Sequence, residues 1–301
     1  MRLEDLPLGR LLEIASTQGL GFQAGPFRIL LETRLLGFLE VFRRLYADVE
    51  LDGPDGVFDF HVEMVAPANV RRWWRPQVLF RLDGFEPFDP FPLSHAFPLF
   101  EWGLNYSIAT RAHQYCFLHS AVLEGNGRAL ILPAMPGSGK STLCAALMLR
   151  GWRLFSDEFG IVQPESGQLL PMPRVIPLKN RSIEVIRNFA PEAVMGPLFP
   201  ETRKGDVMHV APTPESVERQ DEGAKPAWIV FPRYHPESGT QLQPIPSSQA
   251  FVRLSNNSFN YRLLGETSYR ALTSMVKACE CYSFQYSDLD EAIELMNELA
   301  G

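Results

Sequence analysis

A chain of 301 residues with 46% hydrophobic and 21% charged content is long enough to bury a sizeable core and to form about two domains. Its formal net charge of -7, with no compensating basic block, argues against nucleic acid or an anionic membrane surface as a partner of the whole molecule. No run approaches the roughly 18 uninterrupted apolar residues that span a bilayer, and the opening MRLEDLPLGRLLEIASTQG is acidic where a signal peptide would be basic and then apolar, so a cytoplasmic protein is expected.

The first stretch, residues 1–109, reads as a separate small α+β domain. FRILL (27–31) starts as a strand, and Leu35, Leu36, Leu39, Phe42 and Leu45 then recur at helical spacing. DGPDG (52–56) is turn chemistry. VFDFHVEMV (57–65) alternates as a half-buried strand does, and QVLFRLDG (77–84) gives another. RRWWR (71–75) could hold an acidic peptide or stack on bases, but the reading preferred is a strand edge with snorkelling arginines. FEPFDPFPLSHAFP (85–98) is too rich in proline for a helix or central strand and is expected as a connection packed by its own phenylalanines. A helix from about Pro98 to Ala112 leads into the second domain, 110–301.

FLHSAVLEGNGRALILPA (117–134) reads as a hairpin, with His119 early in its first strand and a Gly-Asn-Gly turn between the two. AMPGSGKS (134–141) then fits the phosphate-loop pattern with Ala134 in place of the first glycine, and STLCAALMLRG (141–151) continues as a helix. Strand, glycine loop and helix stand in the order an anion cradle needs, because loop N–H groups and a helix N-terminus then point at one place. The candidate nucleotide-binding residues are Pro136, Gly137, Ser138, Gly139, Lys140, Ser141 and Thr142. Lys140 is suited to the β and γ phosphates and the Ser141 hydroxyl to Mg²⁺.

WRLFSDE (152–158) reads as a short strand ending in Ser156, Asp157 and Glu158, whose carboxylates point at the cradle if the strand lies beside RALILPA. Two adjacent acids can divide the tasks of phosphoryl transfer, one holding the metal and one taking the nucleophile's proton. Secondary candidates for substrate or phosphate contact are Arg174, Lys179 and Asn180, together with Arg233 at the end of the strand AWIVF. Residues 196–226 are expected as irregular surface, either a lid or disordered. SDLDEAIELMNELAG (287–301) is expected as an amphipathic helix capped by Ser287. The four cysteines lack a disulfide or zinc pattern.

The run from Leu118 to Glu158 resembles the catalytic core of bacterial HPr kinase/phosphorylase in its order of histidine, hairpin, phosphate loop, helix, short strand and acid pair. The whole chain resembles more closely that family's offshoot, the HPr-kinase-related kinase A group, with PMPRVIPLKN (171–180), AWIVFPRY (227–234) and YSDLDEAIELMNEL (286–299) as further matching blocks. The resemblance implies an α/β phosphate-loop kinase domain of the HPr kinase/phosphoenolpyruvate carboxykinase type behind the small α+β domain, using ATP and Mg²⁺. It implies Asp157 as general base with His119 as its partner, Lys140 on phosphate, and Ser141 and Glu158 on the metal. Glu158 stands where the family usually has aspartate, and the family's LEIRGxGI stretch is missing. The expected activity is transfer of a phosphoryl group to a Ser or Thr hydroxyl of a protein or peptide acceptor chosen by residues 1–109. A small-molecule kinase and a nucleotide-binding regulatory ATPase are the competing expectations, and a homo-oligomer is left open.

Overall fold

The computed structural model describes residues 1–53, 56–133 and 137–301, a mixed α/β chain with three sheets. The chain forms two compact units, one of Met1–Arg111, Pro177–Ile183 and Val194–Ala211 and the other of Ala112–Ile176, Glu184–Ala193 and Pro212–Gly301. The division expected at 109/110 therefore falls at 111/112, and two segments expected in the second domain belong to the first unit.

The first unit runs α1 (Leu8–Thr17), β1 (Leu20–Ala24), β2 (Phe27–Thr33), α2 (Leu36–Leu45), β3 (Leu51–Asp52), β4 (Phe60–Val65), β5 (Gln77–Leu82), β6 (Phe91–Pro92) and α3 (Ala96–Arg111). Its sheet has the order β3-β1-β2-β4-β5-β6, antiparallel except where β2 and β4 pair. Helix α2 buries Phe38, Leu39, Phe42 and Leu45 and leaves Leu36 exposed, so Phe38 takes the core position expected of Leu36. Phe38 and Phe42 meet Phe100 of α3 edge-on at 5.3 and 5.6 Å. The nearby buried Glu101 accepts the Tyr46 hydroxyl at 2.6 Å, which satisfies an acid in an aromatic core.

RRWWR is not a strand edge. Val70–Arg72 forms a 3-10 turn, because the Asn69 side chain accepts the Arg71 N–H (2.9 Å), and Arg71 and Arg75 lie over the Trp74 ring.

The second unit begins with β7 (Cys116–Gly125) and β8 (Arg128–Pro133), followed by α4 (Lys140–Leu149), β9 (Arg153–Ser156), β10 (Phe159–Val162) and β11 (Leu169–Leu170). The chain then forms β12 (Ile176–Lys179), α5 (Arg181–Phe189), β13 (Phe199–Thr202), β14 (Gly205–Val210) and α6 (Pro214–Glu218). It closes with β15 (Lys225–Tyr234), β16 (Gln241–Pro244), α7 (Ser247–Asn256), α8 (Tyr261–Leu264), α9 (Glu266–Ala278), β17 (Glu280–Tyr286) and α10 (Leu289–Ala300).

Residues 196–226 are not irregular. They form the β13–β14 hairpin, which joins β12 in a three-stranded sheet, and the helix α6. Phe199, Val207, Met208 and Val210 supply buried side chains that the surrounding prolines and charges masked. Gly205 turns with φ of 85°, and the Thr202 hydroxyl donates to its carbonyl at 2.6 Å.

The large sheet has the order β11-β10-β7-β8-β15-β17-β16, with β9 paired to β7. Strands β8, β15 and β17 run parallel, and β7 and β16 flank them antiparallel. The β7–β8 hairpin turns on Asn126 and Gly127, both with positive φ, which matches strand twist as the Gly-Asn-Gly sequence leads one to expect. Ile131, Ile229 and Phe231 pack with Ala250 and Leu254 of α7 and with Leu272 and Met275 of α9. Helix α4 packs on β7 and α10.

The cap of α10 is Asp288, whose side chain accepts the Glu291 N–H (3.0 Å). Ser287 instead donates to the Ser238 carbonyl at 2.6 Å. Among the described residues no helix is long and apolar enough to cross a membrane.

Candidate phosphate-binding and acid-base site

The site grows from the buried strand β8. Ala129 to Leu132 are fully enclosed, and β8 ends at Pro133. Pro136, expected in the cradle, lies outside the described residues. Gly137 and Gly139 have φ of 85° and 87°, a left-handed geometry that L side chains rarely adopt. Gly139 caps α4 and offers no side chain to its first turn, so the N–H groups there stay available. A methyl group on Gly139 would stand 2.4 Å from the Tyr286 hydroxyl and 2.8 Å from Tyr234 Cβ. Only glycine fits that position.

Tyr234 and Tyr286 end the parallel strands β15 and β17, and both hold the loop. The Tyr234 N–H donates to the Ser138 carbonyl at 2.8 Å, and the Tyr286 hydroxyl donates to the Gly139 carbonyl at 3.0 Å. Burial first, then the neighbouring Tyr234, raises the Tyr286 pKa, so it remains a neutral donor. Sequence reading passed over both tyrosines, although each follows a buried run at a strand end where a parallel sheet places its ligands.

Helix α4 opens with two of the candidate side chains. Lys140 is buried, and its ammonium donates to the Asp157 Oδ1 at 2.8 Å and also to the Asp157 carbonyl. The Ser141 hydroxyl donates to the other Asp157 oxygen at 2.8 Å. Burial alone would lower the Lys140 pKa, but the Asp157 and Glu158 carboxylates outweigh it and hold the lysine above its ordinary value. Thr142 follows in the same turn, half-buried. One turn on, burial and then Asp157 push the Cys144 thiol well above its ordinary value, so it stays protonated.

Strand β9 delivers Asp157 by a different route from the one expected. It pairs antiparallel with β7, not with β8, so β7 lies between the loop strand and the acid strand. The Ser156 hydroxyl accepts the N–H groups of Glu158 and Phe159 (3.2 and 3.0 Å), which fixes the turn between β9 and β10 and presents both acids. His119 on β7 pairs in register with Phe159 and faces Glu158, with Nε2 3.7 Å from Oε2. The expected His119–Asp157 partnership is thus replaced by His119 with Glu158, while Asp157 engages Lys140 and Ser141.

One further segment was missed. Residues 257–260 line the edge of β7 beyond the point where β8 ends. The Asn257 carbonyl accepts the His119 N–H at 2.6 Å, Asn260 Oδ1 accepts the Phe117 N–H at 3.0 Å, and the Phe117 carbonyl accepts the Phe259 N–H at 3.0 Å. This brings the half-exposed Phe259 ring to 5.3 Å from His119 and 5.1 Å from Phe159.

The secondary candidates separate. Arg174 is buried between β11 and β12. Arg233 is exposed one residue from the loop contact of Tyr234, on the opposite side of the strand pleat. Lys179 and Asn180 fall in the first unit. There Asn180, at φ of 50°, exchanges hydrogen bonds with Asp206 across the small sheet, which gives it a structural task.

Among the described residues no group of three or more His, Cys, Asp or Glu side chains is placed to hold a metal. A magnesium ion carried by phosphates takes most of its ligands from phosphate and water, so Ser141 with one carboxylate is the share a protein supplies. Comparison of the chain with protein-family models and with curated proteins finds no match.

Proposed function

We propose that this chain is an ATP-dependent kinase of the HPr-kinase-like phosphate-loop type, cytoplasmic, acting on a Ser or Thr hydroxyl of a protein or peptide. The observation that carries this reading is the joint hydrogen bonding of Lys140 and Ser141, the first residues of α4, to the single carboxylate of Asp157. Binding of an anion alone would need only the loop and the lysine. A carboxylate tied to both the phosphate lysine and the metal hydroxyl suits transfer.

The residues fit ATP with Mg²⁺. Two left-handed glycines, an uncapped helix start, a buried ammonium, and a buried Ser138 hydroxyl with no partner among the described residues converge on one place. When bound, ATP with Mg²⁺ supplies the phosphoryl group and a cation that offsets its charge. Lys140 is a point charge on a flexible stem, so it can turn from Asp157 to phosphate oxygens. Asp157, relieved of the ammonium, is then able to accept the proton of an attacking hydroxyl. Glu158, set against His119, provides the second carboxylate.

Incubation with γ-labelled ATP in a lysate of the source cells tests the reading. Label on a macromolecule that depends on Lys140 supports it. Label on a metabolite makes the chain a small-molecule kinase, and label only in free phosphate makes it an ATPase. Asp157→Asn and Glu158→Gln separate the acids: the first should slow transfer at an unchanged Mg²⁺ requirement, and the second should raise that requirement.

A further inference from the structure

The first unit contains a trough of about 980 Å³ that the proposed chemistry does not use. It lies near the upper end of the roughly 300–1,000 Å³ typical of small-molecule sites. Three of the chain's exposed large aliphatic side chains, Leu36, Leu93 and Leu198, line it, 44%, 36% and 47% exposed and contributed by three separate segments. Arg34, Arg71 and Arg75 line it too, and no Asp or Glu does. None of these arginines forms an ion pair with a described residue, in a chain whose formal net charge is -7. Beside the trough the 3-10 turn exposes Trp73 and Trp74 by 77% and 59%.

We infer that this trough binds an extended peptide segment in which acidic residues alternate with apolar ones. Separated apolar points call for several side chains rather than one hydrocarbon body, since scattered surface leucines need no explanation but leucines gathered in one concavity do. Three guanidinium groups without carboxylates are more than a single small acid can use, whereas successive Asp or Glu residues of a peptide can each take one. As the docking place of the kinase acceptor, the trough rests on the reading above. As a peptide site, it stands without it.

Panning a random dodecapeptide display library on the full-length protein, without nucleotide, tests the inference. Enriched peptides should interleave Asp or Glu with Leu, Ile, Phe or Pro. Their synthetic fluorescein conjugates should lose about tenfold or more in affinity on the Arg34→Glu/Arg75→Glu variant, because each charge-assisted contact becomes a repulsion. Gly37→Leu gives a second, uncharged test. Gly37 sits on α2 in the trough wall, and a Cβ there meets nothing within 4 Å, so the added side chain fills the trough without threatening the fold. It should weaken binding to a similar degree at an unchanged melting temperature. No enrichment over a bare surface, enrichment of acid-free peptides, or affinities indifferent to both variants would overturn the inference. So would sodium decanoate binding with the same arginine dependence while no peptide is enriched. Panning requires no turnover, so failure here leaves the kinase reading standing, and failure of the kinase reading leaves this result standing.

Discussion

Strand β9 carries a buried ion pair at each end, and the two pairs share a chemistry but not a task. Arg153, its first residue, meets Glu124 at 2.7 Å with side chains 3% and 7% exposed; just beyond its last residue Asp157 meets Lys140 at 2.8 Å with side chains 1% and 9% exposed. Arg153 is saturated. Its remaining nitrogens donate to the carbonyls of Arg219 and Glu222, and the second Glu124 oxygen accepts the Gly127 N–H. The Lys140 hydrogen bonds, by contrast, all go to Asp157, beside the glycine turn that opens α4. On the proposed reading, burial and distance do not distinguish the structural pair from the working one. The number of fixed partners does.

The largest expected effect breaks the working pair. Asp157→Asn keeps shape and removes the proton acceptor, so single-turnover transfer should fall by about 10² to 10⁴. Glu124→Gln, assayed where it is folded, should leave that rate unchanged. A slow Glu124→Gln enzyme would mean that the two ends of β9 are not independent.

Stability should show the reverse order. Glu124→Gln leaves a buried guanidinium short of its countercharge and should cost about 3–5 kcal/mol in urea unfolding, the range for breaking a buried pair by one partner. A loss below about 1 kcal/mol, the range of exposed pairs, would show that Arg153 finds enough compensation in its carbonyls.

The pairs should also fail at opposite ends of the pH scale. Burial raises the Glu124 pKa, but hydrogen bonds from Arg153 and Gly127 outweigh it and hold the carboxyl below its ordinary value. Its stabilisation is therefore present above the unfolded pKa and is lost as pH falls through the lowered folded value. Lys140 is held above its ordinary value, so its contribution is present below the unfolded pKa and disappears as pH rises through the raised value. Urea midpoints followed against pH should show a flattened acid limb in Glu124→Gln and an unaltered alkaline one. An unchanged acid limb would assign acid sensitivity to other carboxylates.

The smallest effect sharpens the working side. Tyr286→Phe deletes one hydrogen bond to the Gly139 carbonyl and leaves the ring, so ATP affinity should drop a few-fold, about 0.5–1.5 kcal/mol by titration calorimetry.

Local order made much of this legible in the sequence. The Asn126-Gly127 turn, the buried run of β8 and the helix from Lys140 each follow from residues a few positions apart, whereas the meeting of Lys140 with Asp157, seventeen residues on, needs the sheet to bring them together. Pairing between distant strands was not legible. Nothing in WRLFSDE distinguishes β7 from β8 as its neighbour, since either edge buries Leu154 and Phe155 equally well. Tyr234 and Tyr286 become loop anchors only once β15 and β17 lie parallel to β8. The β13–β14 hairpin was hidden because its turn, Arg203 to Gly205, reads as charged linker until Phe199 and Val207 are seen to be buried. Ser287 and Asp288 are both good caps, and adjacency alone could not choose between them.

Residues 257–260 constrain how an acceptor, on the proposed reading, would meet the acid pair. They occupy the edge of β7 that β8 vacates, so the backbone groups of Phe117 and His119 are already spent. An incoming chain has no strand edge there to extend and cannot be gripped by backbone augmentation. On the proposed reading an acceptor must be recognised through side chains, and the half-exposed ring of Phe259, 5.3 Å from the His119 that faces Glu158, is placed to take part in that recognition.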